Sequence, residues 1–246
     1  MITESYYVGA YWGDRRESID DCSNRLFNCL LKLRNCDEIF RNWYRTGCSR
    51  KQALERKIPI DTLNLRKLLD KYGRHATDIG NKTIEDLGYC INIWNGESME
   101  RGEVGLSISC GLHSELSELV NCCVINLPYE GLSLERIVKS DMFVKILSSV
   151  VSSWEPDWAV ATPESVRDLF KVPHRSPYYG WVLYLSERRG KVPFLPYPSR
   201  IVPIENFGNI IVINDARFDS SRKDHIKLIE KVYHILKKVG LLGPIP

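Results

Sequence analysis

The chain has 246 residues, 43% hydrophobic and 26% charged, with 34 basic against 31 acidic side chains for a formal charge of +3. These proportions describe a globular protein with a sizeable core and exclude intrinsic disorder. The charge is too small to signal nucleic-acid binding by net charge, and it excludes an overall acidic mimic of DNA.

The opening MITESYY has no basic lead followed by an apolar core. No later window approaches the roughly 18 uninterrupted apolar residues of a membrane span, so a cytoplasmic location is expected. Eight cysteines in such a chain read as reduced, with Cys22, Cys29 and Cys36 spaced by seven on one helical face as small core residues.

Tyr6, Val8, Ala10 and Trp12 alternate with Tyr7 and Tyr11, the pattern of an interior strand covered on both sides. Gly13 permits a turn, and Asp14 stands three residues before Glu17, the spacing of a capping box. A first helix is therefore expected from about Arg15 to Asn35, with Ile19, Cys22, Leu26, Cys29, Leu30 and Leu33 inward. EIFRNWYR is expected as a short helix packed by its aromatics and ended by Gly47. Ser49 with Gln52 opens another, and Asp61 caps a third whose buried side is Leu63, Leu65, Leu68 and Leu69.

Between Lys32 and Lys57 eight basic residues face three acidic ones. Such a segment, with Arg41, Trp43, Tyr44, Arg45, Arg50 and Lys51, supports a nucleic-acid surface if the rings are free to stack. Phe40, Trp43 and Tyr44 share one helical stripe, however, which favours a solvated hairpin with its rings in the core.

From Asp86 the pattern turns to strands. LGYCINIW with the turn dipeptide Asn95-Gly96, then VGLSISC and NCCVINL, form an antiparallel meander. The connections flanking Val104–Cys110 carry Glu97, Glu100, Glu103, Glu115 and Glu118 against Arg101 alone, an acidic rim at the end of a sheet. A helical segment from Ser133, restarted at Ser140, has Phe143, Ile146, Leu147, Val150, Val151 and Trp154 as its stripe and stops at Pro156.

DWAVAT is a strand, PESVRDLF a helix start, residues 171–179 a surface loop and GWVLYLS a strand. KVPFLPYPSR is too proline-rich for an interior strand. Ile201–Ile204 and Asn209–Ile213 make a hairpin around NFGN. The last helix starts near Asp219 or Ser221, with Ile226, Ile229, Tyr233, Leu236 and Val239 inward and an exposed His225. Clustered rather than alternating elements give one α+β domain over residues 1–246, with a mainly antiparallel mixed sheet packed by helices.

No phosphate loop, dinucleotide fingerprint, H-E-x-x-H, C-x-x-C or G-x-S-x-G occurs. Cys110 with His113 and Glu115 or Glu118 is the one candidate for nucleophilic catalysis, but nothing in the pattern supplies a base in reach or an oxyanion donor set. No catalytic residue, metal site or cofactor is therefore expected.

Several short strings, in order, carry a resemblance. They are Gly9-Ala10-Tyr11-Trp12-Gly13 with Arg16-Glu17-Ser18, Trp43 with Gly47 and Ser49-Arg50, and Asp86-Leu87-Gly88. Trp94-Asn95-Gly96, WEPDW at 154–158, and Gly180-Trp181 with Tyr184-Leu185-Ser186 follow. From about residue 6 to residue 242 the chain resembles the immunity protein 52 family of bacterial polymorphic toxin systems. The resemblance implies a non-catalytic protein that binds a cognate toxin, commonly one delivered by type VI secretion, the toxin being a nuclease of the restriction-endonuclease-like class. No membrane and no direct nucleic-acid partner are expected. For toxin contact, charge points to Glu97, Glu100, Glu103, Glu115 and Glu118 against a basic, DNA-binding surface. The rival reading is a nucleic-acid-binding protein using the basic and aromatic segment 41–57.

Overall fold

The computed structural model describes residues 4–78, 80, 82–114 and 118–245. β1 (Tyr6–Trp12) lies at the middle of a nine-stranded sheet, bonded to β5 (Asn121–Asn126) on one side and β6 (Trp158–Pro163) on the other. Beyond β5 come β4 (Gly105–Cys110), β3 (Tyr89–Trp94) and the two-residue β2 (Tyr44–Arg45). Beyond β6 come β7 (Val182–Ser186), β9 (Gly208–Val212) and β8 (Arg200–Ile204). Every ladder is antiparallel, giving the expected α+β architecture with no parallel pair among the described residues.

The alternation read in β1 decides what covers each face. Val8, Ala10 and Trp12 point toward α5 (Ser140–Trp154), where Trp12 stacks on Trp154 at 5.4 Å. α1 (Ile19–Arg34) packs beside α5 and against α3 (Thr62–Leu68), and α5 crosses β1, β6, β7 and β9. On the other face Tyr11 stacks on Trp158 at 4.3 Å with Tyr178 edge-on to both. Tyr233 of α7 (Lys223–Lys238) donates its hydroxyl to the Tyr178 carbonyl at 2.6 Å. The shorter helices α2 (Arg50–Leu54), α4 (Gly131–Ile137) and α6 (Glu164–Leu169) contact β2, the turn Met99–Arg101 and β6 respectively.

Five local expectations are corrected. The first helix starts at Ile19, capped by a reciprocal box between Ser18 and Asp21 rather than Asp14 and Glu17. Residues 13–17 cannot coil because tertiary bonds hold them out: Gly13 N–H donates to Asp157 and Arg15 N–H to the Leu112 carbonyl. EIFRNWYR is one 3₁₀ turn at Glu38–Phe40 followed by β2, since Tyr44 and Arg45 pair with Trp94 and Ile93. Leu63 is exposed, whereas Leu65, Leu68 and Leu69 are buried. His225 is buried and accepts the Asp219 N–H at Nδ1, 3.0 Å, because the chain entering α7 folds back over it, while Val239 is exposed.

Candidate functional site

The half of the sheet formed by β3, β4 and β5 is asymmetric. Its inner face, Ile91, Ile93, Leu106, Ile108, Cys123 and Ile125, is buried beneath the helices. Its outer face carries Cys90, Asn92, Ser107, Ser109, Val124 and Asn126, half-buried to exposed, as expected of an antiparallel sheet with one wet side. Ser107 donates to Asn92 at 2.7 Å across that surface.

One end of this face is built by the β3–β4 connection, and Asn95 builds it. Its buried amide donates to the carbonyls of Ile39 and Gly102 at 3.2 and 2.9 Å and accepts the N–H groups of Glu97 and Val104 at 3.2 and 3.1 Å. All four bonds close on backbone, so the loop is fixed by one side chain. Gly96 has φ +85°, and a Cβ there would lie 2.5 Å from the Tyr44 ring, so only glycine lets that ring cover the turn. The result is a cleft of about 650 Å³ whose walls include Thr46, Arg50, Trp94, Glu97, Met99 and Glu103. Met99 is 53% exposed, and the buried Trp94 indole N–H has no hydrogen-bond partner among the described residues.

Glu97, Glu100, Glu103 and Glu118 do not form one rim. Glu97 and Glu103 line the cleft and Glu100 stands exposed in the turn Met99–Arg101 beside them. Glu118 belongs to the β4–β5 connection, at the opposite end of the six-residue β4, because successive antiparallel connections alternate ends. Glu115 lies outside the described residues. No Lys, Arg or His among the described residues is in ion-pair distance of Glu97, Glu100, Glu103 or Glu118.

The family profile of immunity protein 52 matches residues 4–245. The chain belongs to the immunity protein 52 family. A comparison with curated proteins gives no match. Among solved structures the chain is similar to Pseudomonas aeruginosa T6SS protein PA0821, with a TM-score of 0.54 over 97% of this chain and 77% of that one at 12% identity, a likeness of fold.

In this immunity protein the opening motif is scaffold. The Arg15 guanidinium lies 5.2 Å over the Trp12 ring, and the buried Glu17 carboxylate takes Arg25 at 2.6 Å and Arg15 at 3.2 Å. Burial pulls the Arg15 guanidinium below its ordinary pKa, and the Glu17 charge opposes that pull. Asn121 in β5 closes the same corner, donating to the carbonyls of Gly13 and Leu112 and accepting the Leu112 N–H. In WEPDW, Trp154 packs on Trp12 and Asp157 accepts from Gly13.

The basic segment of the immunity protein offers no stacking platform. Phe40 and Trp43 are fully buried, Trp43 donating to the Phe40 carbonyl, and Tyr44 packs on Trp94. The Cys110 thiol is buried against Cys22, which together with burial pushes it well above the ordinary thiol range. His113 faces Asp86 at 3.3 Å and the Gly111 carbonyl at 2.9 Å. Hidden and held as the thiol, Cys110 is a packing residue rather than a nucleophile.

Two aromatic side chains stand out elsewhere on the surface. Phe194 and Tyr197 project 93% and 95% exposed from the KVPFLPYPSR loop, which is pinned by buried Val192 and Leu195. The spacing of prolines marked the loop, but nothing local separates its anchors from its tips.

Proposed function

We propose that this chain is a stoichiometric, non-catalytic inhibitor that binds a cognate antibacterial nuclease toxin of the restriction-endonuclease-like class, delivered by type VI secretion. It acts in the cytoplasm of the producing cell as one immunity domain over residues 1–246. Membership of the immunity protein 52 family over residues 4–245 carries the reading. The similarity of fold to a T6SS protein is in keeping with it.

On this reading Glu97, Glu100 and Glu103 face a basic, DNA-binding surface of the toxin. Their support is that they share one fixed loop, that Glu97 and Glu103 line its cleft, and that no cation among the described residues is in ion-pair distance of any of the three. Glu118 belongs to a second contact at the far end of β4, and Glu115 is proposed for toxin contact on its charge alone. Charge complementarity speeds encounter and selects the partner.

The test is to co-express the chain with the toxin encoded beside it, follow growth, and measure binding of the purified pair. Rescue of growth with one-to-one binding is expected, and absence of both would overturn the reading. In the triple variant Glu97→Lys, Glu100→Lys, Glu103→Lys the association rate and its salt dependence should both fall. Unchanged kinetics would remove the rim from the interface.

A further inference from the structure

β2 is too short to cover its neighbour. It pairs only with Trp94 and Ile93, and the isolated bridge from Arg74 reaches only Tyr89. Among the described residues Cys90, Ile91 and Asn92 thus have no ladder partner on that side, and a cleft of about 390 Å³ opens along them. A second cleft of about 300 Å³ continues from it over α3, the two sharing Arg45, Arg56, Leu68 and Tyr72.

The groove is one-signed. Arg45, Arg56, Lys57, Lys67 and Lys71 line it and no aspartate or glutamate does. None of the five is ion-paired to a described residue, although elsewhere the chain pairs its arginines readily. The two arginines are positioned rather than loose. The Arg45 guanidinium lies 3.5 Å from the Tyr72 ring centroid, and Arg56 donates to the Thr46 carbonyl at 2.9 Å. Lys57, Lys67 and Lys71 are exposed at the margin. Held guanidinium forks with free donors match carboxylate geometry, and the surrounding ammonium groups add an attractive field.

Two observations decide between acidic ligands. A nucleic-acid strand is held by rings on which its bases stack, but Arg45 already covers Tyr72, while Phe40 and Trp43 are in the core. The wall formed by Thr46, Asn92 and Ile93 is shared with the cleft that carries Glu97 and Glu103. A polyanion running out of the groove would meet those carboxylates, whereas a protein surface with both signs would match each side.

We propose that this groove receives an acidic, aspartate- and glutamate-bearing segment of the toxin, making the β2–β3 margin a two-signed docking surface with Glu97 and Glu103 on its other side. The inference rests on the toxin-binding reading above. It also fixes orientation: the toxin must carry acidic and basic patches side by side, since the two clefts share one wall.

The triple variant Lys57→Glu, Lys67→Glu, Lys71→Glu changes only exposed side chains without ion pairs, Lys71 giving up its 5.3 Å contact with the Tyr72 ring, so circular dichroism should match wild type and the thermal midpoint should fall only slightly. Wild type should bind a fluorescein-labelled octaglutamate peptide at low salt and the variant should not. Toxin affinity should fall by about tenfold or more in the variant, mostly through slower association. Equal toxin kinetics in wild type and variant would overturn the groove while leaving the immunity reading intact. Peptide binding without any toxin binding would overturn the toxin as occupant together with the immunity reading. Retention of wild type, but not variant, on duplex DNA or RNA would replace the protein segment by nucleic acid.

Discussion

Asn95 reaches across the β3–β4 connection to the Gly102 carbonyl at 2.9 Å while its own oxygen accepts the Val104 N–H at 3.1 Å. This pair of bonds bridges the two ends of the loop that carries Glu97, Glu100 and Glu103. Asn95→Ala leaves two carbonyls and two N–H groups without partners in a buried place, a loss of about 3 kcal/mol. Urea unfolding should show it, and toxin association should weaken further than the stability loss explains, because the glutamates no longer hold one geometry.

The Trp12 and Trp154 rings stack at 5.4 Å, and both are buried. Trp12→Ala should cost roughly 3–5 kcal/mol in chemical denaturation. Trp12→Phe, which keeps a ring against Trp154, should cost about half as much, and the two variants together separate stacking from simple filling of space.

Arg136 grips Asp37 with Nε and Nη2 at 2.6 and 2.8 Å, and Asp37 also caps the Ile39 N–H at 3.0 Å. Burial raises the Asp37 pKa, but the Arg136 hydrogen bond, the Ile39 N–H and the Arg136 charge together outweigh it and hold the carboxyl below its ordinary range. A depressed folded pKa contributes stability that is present above the unfolded value and lost as pH falls through the folded one. Asp37→Asn should therefore lower stability by about 1–2 kcal/mol at neutral pH. The gap from wild type should close as the pH drops below about 4. A gap independent of pH would show that the side-chain shape matters and the charge does not.

The KVPFLPYPSR loop divides into anchors and tips. Leu195 is 5% exposed, so Leu195→Ala should cost about 2–4 kcal/mol. Phe194→Ala and Tyr197→Ala, at 93% and 95% exposure, should each stay within about 0.5 kcal/mol of wild type in thermal or urea unfolding.

Cys22, Cys29, Cys110 and Cys123 are buried between α1 and the sheet, and Cys48 is exposed. Contacts with Cys22 and Cys29, followed by burial, push the Cys110 and Cys123 thiols well above the ordinary range. Under native conditions a thiol reagent should label Cys48 fastest and leave those four until unfolding. Early modification of Cys110, followed by peptide mass mapping, would contradict its place in the core.

The sequence by itself determined what depends on near neighbours. Alternation in Tyr6–Trp12 marked an interior strand, three- and four-residue spacing marked the buried faces of α1 and α5, and Ser49 and Asp61 marked helix starts. Its ordered motifs also marked the family. Tertiary structure decided what depends on distant partners. Asp157 and Leu112 kept residues 13–17 out of the helix and moved its cap to Ser18. Pairing with β3 drew Tyr44 and Arg45 into a strand, while the reversal of β4 sent Glu118 away from Glu97, Glu100 and Glu103. The basic groove was the least legible, since Arg45 and Arg56 meet Lys67 and Lys71 only after the helical turn Leu69–Gly73 that follows α3 packs on β3. Local periodicity records which side of an element is buried. Which elements then become neighbours is set by strand pairing and side-chain packing over long separations, and there the acidic and basic surfaces came to share one wall.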